Sequence, residues 1–204
     1  MGNDLALAPA KFVVRQRAEG LLDAFIDTGK ALVADGADGL STTCGFLSLF
    51  QEKLTRAVNV PVASSSLMQV SFVQKLLPPG QQVGVITISR ESLTAEHLLA
   101  AGAPEDTPVV GTENGTEFTR VILEDEKEMD VDACRQDLLD AGAELVREHP
   151  QVGAIVLECT NMGPHAADLR QLLGLPVFSI ITFVSWFQSG LLPRRFNGIT
   201  DDPR

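Results

Sequence analysis

Two cysteines occupy corresponding places in the chain, and their surroundings suggest acid–base chemistry. Cys44 ends the stretch "DGLSTTC" and Cys159 ends the stretch "VGAIVLEC", so each follows a run typical of a β-strand and precedes a predicted helix. In open α/β sheets the carboxyl ends of the strands are where ligands bind, and a helix N-terminus at that edge favours a thiolate. Both thiols are therefore candidates for one active site.

An internal repeat relates the two cysteines. Shifted by 115 positions, residues 44–78 match residues 159–193 at nine of 35 positions without a gap, where chance would give about two or three matches. The matching pairs are Cys44 and Cys159, Leu54 and Leu169, Pro61 and Pro176, Val62 and Val177, Ser64 and Ser179, Phe72 and Phe187, Leu76 and Leu191, Leu77 and Leu192, and Pro78 and Pro193. Each copy predicts a strand, a cysteine, a helix, a Pro-Val strand, a serine and a helix. Two such α/β lobes would present one thiol from each side of a cleft.

Two thiols on opposite faces of a flat carbanion suit a 1,1-proton transfer. One thiolate takes a proton from a carbon acid, and the opposite thiol returns a proton to the other face. The carbanion needs hydrogen-bond donors, which hydroxyl, amide and backbone N–H groups near the thiols and strand ends can supply. The predicted substrate-binding residues are Thr43, Gly45, Ser64, Ser65, Ser89, Thr160 and Asn161. This chemistry requires no cofactor, and the expected substrate is a small anionic carboxylate.

Other conspicuous residues are better explained by structure. Cys134 lies in a helical pattern with charged neighbours, so a structural role is predicted. Trp186 and its apolar neighbours are predicted to belong to the core. The histidines have no ligand spacing to the cysteines, and we therefore predict no metal site.

Composition argues against several classes of protein. The net charge is -11 and the 16 lysines and arginines are scattered, which opposes a nucleic-acid surface. No apolar run reaches the roughly 18 residues that span a bilayer, and the N-terminal segment lacks the order of a signal peptide. Three cysteines without a C-x-x-C pair are typical of reduced thiols in a cytosolic protein. We expect a cytoplasmic protein that binds neither nucleic acid nor membrane.

Short apolar runs alternate with helical patterns along the chain, which predicts parallel sheets covered by helices. The predicted strands are 83–89, 108–112, 152–158 and 176–181. The predicted helices are 18–34, 46–58, 66–77, 91–101, 130–148, 164–173 and 182–192. The predicted fold class is α/β with two pseudo-symmetric lobes, each a parallel sheet flanked by helices, and with the site in the cleft between the lobes. Residues 1–80 plus 181–204 are predicted to form the first lobe and residues 81–180 the second.

With these motifs the sequence resembles the aspartate/glutamate racemase superfamily, which includes amino-acid racemases, hydantoin racemase, maleate isomerase and arylmalonate decarboxylase. The resemblance covers roughly residues 18–193, and its specific part is the cysteine after "GLSTT" together with the second cysteine in "VLECTN". It implies cofactor-independent chemistry between two α/β lobes. It also implies that Cys44 and Cys159 are the acid/base pair and that Thr160 binds substrate. Because dimers are common in the superfamily, a homodimer or larger homo-oligomer is implied as well.

Three departures from the family pattern leave the reaction open. Gly45-Phe46 follow Cys44 where racemases usually have Asn-Thr, and Asn161 stands where the glutamate enzymes tend to have histidine. Before the first predicted helix there is only "KFVVR" (11–15), where the family has a strand and a glycine-rich loop, so we expect that either the chain is shortened or its first strand is degenerate.

The first prediction is a cofactor-independent racemase or isomerase of a small carboxylate or amino acid. One alternative is a lyase or cis–trans isomerase in which a single cysteine acts. The other is a degenerate protein that binds a ligand without turnover.

Overall fold

The computed structural model describes residues 9–195. The predictions made for the segment before residue 9 and for the end of the first lobe after residue 195 lie outside these residues. The α-helices are α1 (Ala10–Arg15), α2 (Leu22–Ala34), α3 (Gln51–Val58), α4 (Gln69–Gln74), α5 (Ala95–Ala100), α6 (Phe118–Leu123), α7 (Val131–Glu148), α8 (Ala166–Leu173) and α9 (Ile180–Leu191). Three further segments form 3₁₀ helices: Gly45–Phe50, Ser66–Met68 and Thr160–His165. The strands are β1 (Leu40–Ser41), β2 (Val62–Ala63), β3 (Gln82–Thr87), β4 (Val109–Gly111), β5 (Val152–Leu157) and β6 (Val177–Phe178).

These strands form two parallel sheets. β1 pairs with β2, and the larger sheet has the order β4-β3-β5-β6, with every pair parallel. All six residues of β5 are buried, as expected for a strand covered on both faces. The predicted fold class, parallel sheets flanked by helices, is confirmed.

The repeat found in the sequence extends to the register of the strands. Leu40 pairs with Val62 in the small sheet, and Ile155 pairs with Val177 in the large one, so a shift of 115 residues carries one pair onto the other. After each cysteine comes a 3₁₀ helix of six residues and then an α-helix of eight. Each of those α-helices ends at a residue in the left-handed conformation. The predicted repeat is therefore confirmed, down to individual backbone positions.

Residues 11–15 differ from the prediction of a remnant strand, because they lie in helix α1. Val13 and Val14 are buried, and the helix contacts α6 and the 3₁₀ segment that follows Cys44. A short apolar run is compatible with either a strand or a buried helix, and here the neighbouring helices decide.

Helix α9 also differs from its prediction. It buries Phe183, but Trp186 is 66% exposed and stacks on the ring of Phe183 with centroids 6.0 Å apart. The prediction that Trp186 belongs to the core is wrong, because α9 is apolar over a wider face than its neighbours cover. The uncovered part borders a groove of about 460 Å³ between α4 and α9. Within residues 9–195, no helix is both long and apolar enough to cross a membrane.

Candidate active site

Both cysteines line one cavity of about 630 Å³. Of the residues predicted to form the site, five line it: Thr43, Cys44, Cys159, Thr160 and Asn161. The two thiols come from equivalent points of the repeat, each directly after the carboxyl end of a parallel strand. The structure thus places the two strand ends at one cavity, and the catalytic role of the two cysteines stays a prediction.

The backbone around each thiol follows the same plan. Both cysteines are extended and directly precede a 3₁₀ helix. The amide of Phe46 faces the sulfur of Cys44, and the amide of Asn161 faces the sulfur of Cys159 together with the Asn161 side chain. These amides favour the thiolate form, as N–H groups at a helix start do.

Thr160 joins the two cysteine loops. Its hydroxyl donates to the carbonyl oxygen of Thr43 at 2.7 Å, which links the loop after β5 to the loop after β1. The hydroxyl proton is thus already engaged, and Thr160 Oγ1 can meet a ligand only as an acceptor.

Three of the predicted substrate-binding serines do not reach the cavity wall. Ser65 caps the start of a 3₁₀ helix, where its Oγ accepts from the amide of Leu67 at 3.1 Å. Ser89 is bonded to Ser92, with 2.9 Å between the two hydroxyl oxygens. Ser64 is fully buried, and its hydroxyl has no partner among the described residues. Their predicted contact with substrate remains a prediction.

The structure adds one group that the sequence reasoning missed, the carboxyl of Glu158. Glu158 is 1% exposed and stands between the end of β5 and Cys159. Its Oε2 accepts from the Thr87 hydroxyl at 2.9 Å, whereas its Oε1 has no hydrogen-bond partner among residues 9–195. The backbone of Gly45 covers this carboxyl, since a Cβ at Gly45 would lie 2.4 Å from Oε1. Its predicted contact with substrate stays a prediction. The sequence shows an acid directly after an apolar strand, but not that this acid is buried.

Burial shifts the pKa values of all three groups upward. It raises the pKa of Glu158 to about 7, against the Thr87 hydrogen bond and the nearby amides of Ile88 and Gly45, which favour the ionised form. Burial and then the charge of Glu158 raise the pKa of Cys44 to about 12. The same two causes hold the pKa of Cys159 well above its usual range. The site thus resists holding more than one negative charge.

No positively charged side chain lines the described part of the cavity, so none offsets the cost of a second negative charge there. The ionisable residues lining the cavity are Asp125, Glu158 and the two cysteines, and much of the remaining wall is apolar, including Val13, Val14, Phe25 and Ile122. Across residues 9–195, no group of three or more His, Cys, Asp or Glu side chains is arranged to hold a metal ion.

Comparison with solved structures identifies the fold. A liganded double mutant of arylmalonate decarboxylase superposes with a TM-score of 0.59 at 17% identity, over 94% of this chain and 80% of that one. Glutamate racemase from Aquifex pyrophilus gives 0.56 at 15% identity, over 93% and 71% of the two chains. The chain has the fold of the aspartate/glutamate racemase superfamily, as the resemblance of its sequence predicted.

Comparison with known sequences finds relatives that are named lyases, not racemases or decarboxylases. The chain is 28% identical over 187 residues to dimethylsulfoniopropionate lyase 7 of Emiliania huxleyi (strain CCMP1516), covering 87% of this chain and 54% of the relative. It is 24% identical over 172 residues to a dimethylsulfoniopropionate lyase of Durusdinium sp. clade D, covering 81% and 56%. The chain thus spans about half the length of these curated relatives. No protein-family model matches it.

Proposed function

We propose that the chain is a cofactor-independent lyase that removes a proton next to a carboxylate and expels an onium leaving group from the neighbouring carbon. The observation that carries the proposal is the meeting of Cys44 and Cys159 at one cavity from equivalent ends of two strands. The name of the relatives supplies the substrate class, a propionate that bears a dimethylsulfonium group.

The reaction needs one base and a site for the leaving group. A cysteine thiolate takes the proton on the carbon beside the carboxylate, so that a C–H bond breaks and an S–H bond forms. The electron pair of the C–H bond forms the carbon–carbon double bond. The carbon–sulfur bond of the substrate breaks, dimethyl sulfide leaves with that bonding pair, and acrylate is the other product.

The charge of the cavity supports an onium substrate. Its described wall offers carboxyl groups from Asp125 and Glu158, no Lys, Arg or His, and a largely apolar surface. A sulfonium ion carries a positive charge without hydrogen-bond donors, so it suits an apolar wall near carboxylates. Glutamate or aspartate would instead bring a second carboxylate and a net charge of about -1 to a wall without a cationic side chain, whereas the sulfonium propionate is neutral overall.

The site is also less symmetric than the repeat that builds it. Glu158 corresponds to Thr43 after the 115-residue shift, so only one half contributes a buried carboxyl. A racemase carries out the same proton transfer from both faces and gains from two similar halves. An elimination needs a base on only one face, which supports the lyase over the racemase.

The first experiment offers the purified protein dimethylsulfoniopropionate and measures dimethyl sulfide by gas chromatography and acrylate by NMR. In parallel, aspartate, glutamate, hydantoins and arylmalonates in heavy water report exchange of the carbon-bound proton beside the carboxylate or ring carbonyl. We expect acrylate formation, and we expect one of the variants Cys44→Ala and Cys159→Ala to lower kcat/KM by about 10²–10⁴-fold, the contribution of a general base. The variant that does so identifies the base.

The matched control is Cys134→Ala, which removes the third thiol. Cys134 is buried in α7 and does not line the cavity, so its loss should leave kcat/KM within a few fold of the parent value. Exchange on an amino acid that requires both cysteines, without acrylate, would instead establish the racemase. If the folded protein showed neither activity, the result would favour the alternative of a degenerate protein that binds a ligand without turnover.

A further inference from the structure

Glu158 lies between the two cysteine loops, and the proposed reaction gives its carboxyl no part in proton transfer. It directly precedes Cys159 in the chain, and its Oε1 lies under the backbone of Gly45, the residue that follows Cys44. That oxygen is buried and has no hydrogen-bond partner among the described residues, although a buried carboxyl oxygen normally has one. Neither thiol is hydrogen-bonded to the carboxyl among the described residues, so the proton passes to Oε1 when a thiol turns towards it or through one intervening water.

We propose that Glu158 is the internal proton acceptor of the cysteine pair, so that Glu158, Cys44 and Cys159 share a single negative charge. The inference rests on the proposed function, since it explains how a thiol in this cavity becomes a base. In this proton transfer Glu158 acts through the thiols, and it is therefore a positioning residue.

The surroundings of Glu158 favour one negative charge shared with the two thiols over two separate negative charges. The ionisable groups that face it are the Cys44 and Cys159 thiols, while Thr87 and Ile88 at the end of β3 and Ser66 from its 3₁₀ helix are neutral. Asp125 is the other acid on the cavity wall. Without a cation, ionising a thiol beside an ionised Glu158 would bury two like charges. Moving the thiol proton to Glu158 creates the thiolate and keeps the net charge constant.

The same transfer makes the thiolate easier to form. The charge of Glu158 is the second cause, after burial, of the high pKa of both thiols. When the carboxylate takes the proton, the S–H bond breaks, an O–H bond forms and the electron pair stays on sulfur. The repulsion between the Glu158 carboxylate and the thiolate then disappears. After the thiolate has taken the substrate proton, Glu158 releases its own proton to water, which accounts for the one proton that the elimination produces.

The test follows thiol alkylation by iodoacetamide without substrate, with peptide mass spectrometry to separate the three cysteines. From about pH 5 to about pH 9, the Cys44 rate in the parent protein should rise to a midpoint near pH 7 and then level off, because proton loss from the shared site limits the thiolate. This rise and plateau form a step in the pH profile. In Glu158→Gln the step should vanish, and the alkylation rate of Cys44 should rise about tenfold per pH unit through neutrality without levelling.

Two further variants make the outcome specific. Thr87→Val removes the hydrogen bond that favours the ionised carboxylate, and the step should move to higher pH. Asp125→Asn neutralises the other acid of the wall and should leave the step in place. A step at the same pH in Glu158→Gln would overturn the proposal, as would a step that disappears in Asp125→Asn. Because no substrate is present, failure of the lyase assay and failure of this inference are separate results.

Discussion

Gly45 is the residue at which the site leaves no room for a side chain. A Cβ there would lie 2.4 Å from Glu158 Oε1 and 2.8 Å from the Glu158 carbonyl oxygen, and the second contact is with backbone that cannot turn aside. We expect Gly45→Ala to lower the free energy of unfolding by about 1–3 kcal/mol, as overpacking does. It should also displace the carboxyl from the thiols, so the step in the alkylation profile should shift or disappear.

Gly190 provides the matched control for that substitution. It lies in α9, its backbone is not left-handed, and a Cβ there would meet nothing within 4 Å. Gly190→Ala should therefore be neutral or stabilise the protein by up to about 1 kcal/mol, the difference in helix propensity. Urea denaturation of both variants measures the two effects, and equal stability of the Gly45 variant and the parent would refute the steric argument.

At this scale the sequence revealed the cysteines but not the carboxyl beside them. Cys44 and Cys159 could be predicted because strand ends and a repeat mark them locally. The burial of Glu158 could not be predicted, because it is created by Gly45 and Thr87, which approach from distant parts of the chain. An acid at a strand end usually faces solvent, and only tertiary contacts show otherwise.

Among the elements, helix α5 is joined to the segment after Cys44 through His97. The His97 Nδ1 accepts from the Thr94 amide at 3.2 Å, and its carbonyl accepts from the Ser48 hydroxyl at 3.0 Å. The ring of Phe46 packs edge-on against the imidazole, with centroids 5.1 Å apart. The histidine is fully buried, and burial followed by the charge of Arg17 lowers its pKa to about 4.

The buried imidazole of His97 predicts a loss of stability in mild acid. Between about pH 6.5 and about pH 4 the unfolded chain binds a proton at His97 and the folded chain does not, so the free energy of unfolding falls as the pH falls through this window. Thermal melting of the parent and of His97→Gln across these pH values isolates the effect, since the other titrating groups are common to both. Parallel pH dependence in the two proteins would contradict it.

The elements were predictable where a local signal was strong. Helix α7 begins one residue after the predicted start, because Asp130 caps it by accepting from two backbone amides. Helices α1 and α6 each have six residues and contact each other, and neither was predicted. Helices this short carry too few turns for a periodic pattern and are held by their partners.

Across the whole molecule, Ser66 connects the first half of the repeat to the central strand of the second. Its buried hydroxyl is 2.6 Å from the Leu157 carbonyl oxygen and 3.0 Å from that of Glu158. Ser66→Ala leaves these acceptors without their donor, and we expect the free energy of unfolding to fall by about 1–3 kcal/mol. The site should also loosen, with faster alkylation of Cys159.

Ser189→Ala is the control for the loss of a serine hydroxyl. Ser189 is exposed on α9, and among residues 9–195 its hydroxyl bonds only to the Trp186 carbonyl oxygen of its own helix. Its removal should change stability by no more than about 0.5 kcal/mol, as is usual at the surface. If denaturant unfolding gave the same small change for Ser66→Ala, the connection between the halves would have to lie elsewhere.

The matched register of the two halves has an evolutionary meaning. Strand pairs, 3₁₀ turns and left-handed helix ends coincide after the same 115-residue shift, although few side chains are still identical. Duplication and fusion of one ancestral unit would leave this arrangement. On that history Cys44 and Cys159 descend from a single cysteine. Glu158 and Thr43 likewise descend from one position, at which the two copies have since specialised.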